Sequence, residues 1–421
     1  MRKYFVGFVF VLLPIVAAAQ PSDRGRTSPT PLAELVGLVE TANPELAAAR
    51  REVDASIARI RPAGAPPDPT ISAGYMSGFL RPPFFPSANT PDGLWQFGVT
   101  QEIPYPGKLA AKSAIASTVA ERARWVVEVR HVELVADLKA AYAGVELADR
   151  SLGILDGTRD LLAQARAHAE AKFRVGRGPQ QDVLRAQLEI STLHERVTMI
   201  RRDRANALAA VNAVLGRAPD TPLSTAPIVV DAPPPVAELQ QLATDRNPQV
   251  RRDEQQIAAG QAALTLARKE VLPDFGINVT TQRKVDGMPW MYGVDVMATV
   301  PLFWQRKQRP MVAEATAMLG AARHVRETTR VQADAELTAA SANADAAREL
   351  MTLYTDSILP QARLAVESSI AAYQAGAVDF LTLLANITSV LTYDLAYQQQ
   401  RAEYLRALAR IEPLTGLSLI R

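Results

Sequence analysis

The chain has 421 residues, of which 46 are basic and 44 acidic, and it contains no cysteine. The lack of thiols excludes disulfides, thiolate metal sites, a cysteine nucleophile and a lipidated N-terminal cysteine. The near-balance of charge argues against a dedicated nucleic-acid binder, and four scattered histidines argue against a histidine-rich metal centre.

The first 19 residues have the pattern of a secretory signal peptide. Arg2 and Lys3 precede an apolar run over residues 4–16, and three alanines at 17–19 form a small-residue cleavage site. The run is shorter than the roughly 20 residues that a transmembrane helix needs. Cleavage leaves residues 20–31 as an N-terminal extension and a mature chain of zero net charge. Because no later segment is continuously apolar over about 18 residues, we expect any membrane crossing to use strands.

The rest of the chain repeats one order of elements. Asn43-Pro44 and Asn247-Pro248 each begin a helical pattern, which is followed by two alternating segments, a long helical pattern, a glycine turn and a further helix. Such self-similarity predicts a duplicated unit. The predicted parts are a first repeat over 32–216, a proline-rich linker over 217–235, a second repeat over 236–417 and a tail over 418–421.

The predicted helices are unusually long. They cover 32–61, 107–173 and 179–215 in the first repeat, and 236–271, 309–374 and 378–411 in the second. Each long central helix would span about 100 Å. Since the two shorter helices together match that length, we expect them to stack end to end beside it, in an elongated antiparallel array with coiled-coil-like packing.

Four segments alternate between apolar and polar residues and predict strands. They cover 70–80, 94–103, 275–284 and 290–300. Each has about 10 residues, the length of a tilted strand that crosses a bilayer. One face is apolar and the other is polar or small, with an acid at Asp295. An ordinary amphipathic soluble sheet is the alternative.

Aromatic residues gather at the ends of these segments, as in the interfacial girdle of a membrane protein. They are Tyr75, Phe79, Phe84, Phe85, Trp95, Trp290, Phe303 and Trp304. Four strands cannot close a membrane barrel, because lipid does not tolerate open strand edges. Three chains would supply 12 strands, so we expect a homotrimer.

Over about 32–417 the chain resembles the TolC family of outer-membrane efflux and secretion ducts. The resemblance rests on the repeated order, the Asn-Pro helix starts, the paired glycine turns and the junction Gln101-Glu-Ile-Pro104-Tyr-Pro-Gly107-Lys108-Leu109. This junction is similar to those of family members joined to resistance-nodulation-division pumps, including the heavy-metal branch.

The resemblance implies a mainly α fold with a small β part. Each chain would give four strands to a trimeric 12-strand outer-membrane β-barrel, continued by a long periplasmic α-helical barrel. It also implies contact with outer-membrane lipid in a Gram-negative bacterium, a periplasmic adaptor protein and an inner-membrane efflux pump.

The family's tip motifs turn each long helix back and constrict the periplasmic mouth. The matching turns here lie at 171–179 and 372–379, with Gly176, Gly178 and Gly376 as turn glycines. The resemblance assigns to Asp182 and Tyr373 an inter-helix hydrogen bond that holds the duct closed. The alternative for Asp182 is a solvated acid near a helix start.

The chain departs from the founding pattern at the constriction. The positions of the two ring aspartates hold Thr382 and Ala385, and the position of the tip arginine holds Val378. Asp379 is a nearby acid that either forms a ring with its two copies or serves as a plain helix-start carboxylate. The resemblance further suggests that two basic tip residues, Arg174 and Arg177, contact an adaptor.

No pattern in the sequence supports catalysis, a cofactor or a bound metal. We predict a passive exit duct of a tripartite efflux system, which exports small molecules or metal cations. The alternatives are a TolC-like duct of a type I protein secretion system and a periplasmic coiled-coil adaptor or scaffold.

Overall fold

The computed structural model describes residues 29–76, 93–284 and 288–421. Within these ranges the chain is mainly α-helical with one small antiparallel sheet, as predicted. The predicted signal peptide, most of the N-terminal extension and the predicted girdle residues Phe79, Phe84 and Phe85 lie outside the described residues.

The elements follow the same order in both halves of the chain. The first half contains α1 (Leu32–Ala42), α2 (Pro44–Ala58), α3 (Ile60–Gly64), β1 (Thr70–Met76), β2 (Leu94–Ile103), α4 (Lys108–Arg174) and α5 (Gln180–Val214). The second half contains α6 (Val236–Arg246), α7 (Pro248–Lys269), β3 (Asp274–Lys284), β4 (Met291–Thr299), α8 (Gln308–Leu353), a π-helical turn (Tyr354–Ile358), α9 (Leu359–Ala375) and α10 (Phe380–Thr415).

The single helices predicted over 32–61 and 236–271 are wrong, because both break at an Asn-Pro pair. Asn43 and Asn247 each end one helix and cap the next. The Asn43 side chain accepts a hydrogen bond of 2.9 Å from the backbone N–H of Leu46, and Asn247 accepts one of 2.8 Å from that of Gln249. The proline that follows has no N–H to leave unpaired in the first turn.

The two long helices differ in continuity. The helix α4 is unbroken over 67 residues, within one residue of the prediction at each end. The helix predicted over 309–374 is instead interrupted by the π-helical turn, which lies just before Pro360. Proline cannot donate to the carbonyl one turn earlier, and its ring crowds that carbonyl, so a widened turn relieves the clash.

Shorter helices flank the long ones, as predicted. The helix α4 packs along α5, α7 and α10, while α10 also packs on α8 and α9. One buried cluster, which includes Leu138 and Leu408, lies next to the linker, and a second surrounds Tyr373 and Phe380 near the tip turns.

Among the described helices, only α10 is long and apolar enough to cross a bilayer. Its side chains Leu383, Ile387, Leu405 and Leu408 are buried in the two clusters just described. These positions therefore contribute to the core of the helical body.

The linker is fastened to the middle of α4. The hydroxyl of Tyr142 accepts a hydrogen bond of 2.6 Å from the N–H of Ala226 and lies 3.0 Å from the carbonyl oxygen of Thr30, to which it donates. Backbone bridges join Thr30 to Thr225, and Val230 to Ile420. The linker thus ties the start and the end of the described chain to the same level of the helical body.

Candidate functional site: the two-faced sheet and the tip turns

The sheet has the order β1-β2-β3-β4, and all three pairings are antiparallel. Each inner strand has two partners, whereas β1 and β4 each have one partner among the described residues. The sheet therefore presents an open edge on both sides, with backbone N–H and C=O groups available to another strand.

One face of the sheet is apolar and exposed. The residues Ile71, Val99, Val279 and Val294 lie directly opposite one another across the four strands. Ile71 is 79% exposed and Val294 is 69% exposed. An apolar face of this extent is typical of a surface that lipid or another protein covers.

The other face is polar and carries the predicted strand acid. The hydroxyl of Thr100 donates a hydrogen bond of 3.1 Å to the side-chain oxygen of Asn278. The amide of Asn278 in turn donates one of 3.2 Å to the carboxylate of Asp295. Asp295 thus lies at the end of a hydrogen-bonded row on the polar face, as the alternation predicts.

The junction between β2 and α4 is held by the side chain of Lys108. The ammonium of Lys108 is buried and lies 2.9 Å from the carboxylate of Asp274, 3.4 Å from that of Glu270 and 3.0 Å from the carbonyl oxygen of Leu272. Gly107 has a φ of 88°, and a Cβ atom there would collide with the ammonium of Lys269. This junction joins the sheet to α4 through buried charge.

The two tip turns share one backbone conformation. Gly176 and Gly376 follow α4 and α9 with φ of 69° and 79°, the left-handed region that glycine adopts without steric cost. In both turns the N–H of the next residue donates a hydrogen bond of 2.8 Å to the carbonyl four residues before the glycine. This pattern is the Schellman motif, which satisfies free carbonyls at a helix end.

The third predicted turn glycine has a different role. Gly178 has no positive φ, but a Cβ atom there would lie 3.1 Å from the Cβ atom of Lys172. Close approach of the chain therefore favours glycine at this position. Pro179 occupies the N-cap position of α5, whose first helical residue is Gln180, one residue after the predicted start.

Tyr373 is the buried centre of the tip. Its ring packs edge-on against Phe380, with 5.5 Å between the ring centroids. The ammonium of Lys172 lies 3.9 Å from the centroid of the Tyr373 ring and also donates to the Tyr373 carbonyl oxygen. This clamp between α4 and α9 was not predicted. A basic residue in the last turn of a helix was the only local signal for it.

The predicted hydrogen bond between Asp182 and Tyr373 is not formed in this single chain. The Tyr373 hydroxyl is buried and has no hydrogen-bond partner among the described residues. Burial raises the pKa of the Tyr373 phenol, and the nearby Asp182 charge adds to the rise. Burial also raises the pKa of Asp182, an effect that Arg185 opposes. The Asp182 charge thus affects the pKa of the Tyr373 phenol without a hydrogen bond to it, and the lock stays a prediction.

The other predicted tip residues are exposed. Asp379 caps α10, and its carboxylate accepts hydrogen bonds from the hydroxyl and the N–H of Thr382, which lower its pKa. This geometry matches the helix-start alternative. Arg174 and Arg177 form no ion pair with a described residue, so both guanidinium groups are available to a partner.

Comparison with known proteins decides the family. The sequence profile described as outer membrane efflux protein matches residues 35–217 and 239–417. The chain belongs to the outer membrane efflux protein family. The predicted family, the mainly α fold with a small β part, the efflux function and the outer-membrane location are thereby confirmed.

Individual relatives agree with this assignment. The chain is 22% identical over 435 residues to the cobalt-zinc-cadmium resistance protein CzcC of Cupriavidus metallidurans, covering 99% of this chain and 100% of CzcC. The solved outer-membrane channel OprN matches 92% of this chain and 90% of its own with a TM-score of 0.79 at 20% identity.

Two further solved structures show the same fold. CusC matches 92% of both chains with a TM-score of 0.79 at 16% identity. VceC of Vibrio cholerae matches 92% of this chain and 96% of its own with a TM-score of 0.77 at 16% identity. The fold of these solved structures therefore extends over 92% of this chain.

Proposed function

We propose that three copies of the chain close their sheets into one 12-strand β-barrel in the outer membrane. The observation that carries this proposal is a two-faced sheet of four strands that is open at both edges. Lipid does not tolerate open edges, and pairing of β4 with β1 of the next copy removes them. The apolar face would meet lipid, and the row that ends at Asp295 would face the lumen.

The three helical bodies would continue this barrel as a periplasmic tunnel about 100 Å long. In this arrangement the chain is a passive exit duct, and an inner-membrane pump supplies the energy through a periplasmic adaptor. The exposed Arg174 and Arg177 support adaptor contact at the tips.

The tip would close the tunnel through Asp182 and Tyr373. Support comes from the buried Tyr373 hydroxyl without a partner and from the electrostatic interaction between the two groups. A ring of three Asp379 carboxylates is the weaker part of the gate, because each carboxylate already caps its own helix.

The gate is tested by single-channel conductance in planar bilayers. We expect the double variant Asp182→Ala/Tyr373→Phe to conduct more than the wild type, since the closed tip loses its lock. The matched variant Asp203→Ala/Tyr393→Phe, which changes the same residue types away from the tip, should conduct as the wild type does. Unchanged conductance of the tip variant would contradict the lock.

The cargo is proposed to be small molecules or metal cations. The similarity to a protein named for cobalt, zinc and cadmium resistance supports metal cations as the first class to test. A strain that lacks this protein should grow less well in the presence of these metals, or of drugs and dyes, and recover when the gene is restored. Loss of a secreted protein with unchanged tolerance would favour the secretion duct instead.

A further inference from the structure

The turn that follows β4, residues 300–309 with the first two residues of α8 included, exposes large apolar side chains. Leu302 is 78% exposed, Phe303 is 74% exposed and Trp304 is 46% exposed. The turn directly continues β4 at the end of the sheet that adjoins the helices. The last apolar row of the sheet, Ile103 with Phe275, lies at the same end and is also exposed.

Three cations follow these apolar residues within the same turn. Arg306, Lys307 and Arg309 are exposed, and none of them forms an ion pair with a described residue. The turn itself contains no acidic residue. It therefore combines an apolar surface with three positive charges, the combination that favours an anionic membrane surface.

The backbone of the turn holds this arrangement in place. The N–H of Lys307 donates a hydrogen bond of 3.0 Å to the carbonyl of Phe303, and the N–H of Arg309 donates one of 2.8 Å to the carbonyl of Trp304. The aromatic residues and the cations thus occupy one hydrogen-bonded turn with a defined spacing.

The equivalent junction in the first half of the chain has no such surface. There the cation Lys108 is buried and paired with Asp274 and Glu270, so its charge is used within the chain. The turn between β4 and α8 instead leaves three cations without an ion pair within the described ranges, beside exposed aromatic residues.

We propose that the turn over residues 300–309 binds anionic phospholipid headgroups of the periplasmic leaflet. The inference rests on the proposed membrane barrel, because that barrel places the helix-proximal end of the sheet at this leaflet. Leu302, Phe303 and Trp304 enter the interface, where aromatic side chains are favoured. Arg306, Lys307 and Arg309 attract the phosphates.

The test uses the full protein in detergent, titrated with phosphatidylglycerol or with zwitterionic phosphatidylcholine, with bound lipid counted by native mass spectrometry. The wild type should bind phosphatidylglycerol more tightly, and the preference should weaken as salt rises. The variant Arg306→Gln/Lys307→Gln/Arg309→Gln should lose on the order of 100-fold in affinity for phosphatidylglycerol and keep its binding of phosphatidylcholine. The control variant Arg196→Gln/Arg201→Gln/Arg217→Gln, with exposed cations on and after α5, should behave as the wild type does.

Equal binding of the two lipids by the wild type, or a preference that survives in the turn variant, would overturn the proposal. So would a turn variant that changes the number of chains in the lipid-free particle, because the turn would then contact another copy of the chain. Conductance measurements distinguish a failure of the lipid-binding proposal from a failure of the proposed membrane barrel. A wild type that conducts but shows no lipid preference contradicts only the lipid site, whereas one that never inserts contradicts the barrel.

Discussion

The ends of α5 and α10 occupy equivalent places in the two halves of the chain. In each half a side chain near the helix end forms a hydrogen bond with the backbone of the segment that follows, as donor after α5 and as acceptor after α10. The side-chain amide of Asn212 donates a hydrogen bond of 3.0 Å to the carbonyl seven residues later. At the position 200 residues further on, the carboxylate of Glu412 accepts one of 2.7 Å from the N–H seven residues later. Both hydrogen bonds span seven residues, but the side chain donates in the first half and accepts in the second.

This difference has a consequence for charge. The second carboxylate oxygen of Glu412 lies 2.6 Å from the ammonium of Lys139 on α4, and both side chains are buried. Asn212 is neutral and needs no counter-ion. A buried charge is tolerated here because the other half of the chain supplies its partner, so the ion pair also joins the two halves.

Replacement of Glu412 by alanine should lower the stability of the protein more than replacement of Asn212. Glu412→Ala leaves the Lys139 ammonium buried without a partner, and we expect it to lower the free energy of unfolding by about 3–5 kcal/mol. Asn212→Ala leaves only neutral carbonyls unpaired and should cost about 1–3 kcal/mol. Thermal unfolding of the detergent-solubilised protein, followed by the helical circular dichroism signal, measures both.

The double variant Lys139→Met/Glu412→Met is the control for the charge. It removes both ions together, so we expect it to recover a large part of the stability lost in Glu412→Ala. If Glu412→Ala proves no more destabilising than Asn212→Ala, the ion pair does not have the role assigned to it.

The two Asn-Pro helix starts offer a finer comparison. The side-chain amide of Asn43 donates a hydrogen bond of 2.7 Å to the carbonyl of Val214, whereas that of Asn247 is buried and has no partner in the described part of the chain. Asn43→Ala should therefore cost about 2 kcal/mol, for a cap and a tertiary hydrogen bond, and Asn247→Ala about 1 kcal/mol, for the cap alone.

Aspartate substitutions sharpen this comparison. Asn43→Asp keeps the cap but places a carboxylate oxygen against the Val214 carbonyl, whereas Asn247→Asp loses no hydrogen bond. We expect the second variant to unfold at the higher temperature. The reverse order would show that the contact with Val214 does not distinguish the two caps.

The smallest expected effect concerns the two acids of the tip. The raised pKa of Asp182 contributes stability that is fully present below the ordinary aspartate pKa of about 4 and is lost as pH rises through the raised pKa. The lowered pKa of Asp379 has the opposite sign, since its contribution is present above about 4 and is lost as pH falls through the lowered pKa. Hydrogen exchange of the tip amides from about pH 4 to about pH 7 follows the Asp182 titration, whereas the Asp379 titration lies below this range.

Variants at Asp182 and Asp379 test the direction in which each acid changes the stability of the tip with pH. Wild-type tip amides should become less protected as pH rises over this range, and Asp182→Asn should remove that trend, by about 0.5 kcal/mol or less because the group is partly exposed. Asp379→Asn should leave it unchanged, since asparagine also caps a helix. A trend that persists in Asp182→Asn would assign it to another group.

Local signals in the sequence predicted much of the architecture, and long-range contacts explain what was missed. The helix α4 contains no proline, and Gly107 and Gly176 mark its ends, so its bounds can be predicted from the sequence. The Asn43-Pro44 pair was recognised as a helix start, but its second effect, the end of α1, was overlooked. Pro360 gave a similar signal for the π-helical turn.

The candidate site also contains residues that local signals predict and residues that depend on long-range contacts. Gly176 and Gly376 could be predicted because a helix end with positive φ is a local requirement. The clamp of Lys172 on Tyr373 could not, because it joins residues 201 positions apart and depends on how α4 and α9 pack. The buried pair of Lys139 and Glu412 was missed for the same reason.

The central claim, that the sheet closes only with two further copies, can be tested by disulfide trapping in this cysteine-free chain. Ala73→Cys on β1 is combined in turn with Tyr292→Cys, Val294→Cys or Val296→Cys on the same face of β4. Within one chain the two strands lie about 14 Å apart, three strand spacings, which is too far for a disulfide. We predict that at least one pair, oxidised in membranes, gives a reducible product that ends at three linked chains. Single chains in every pair, or a ladder that continues beyond three, would contradict the claim.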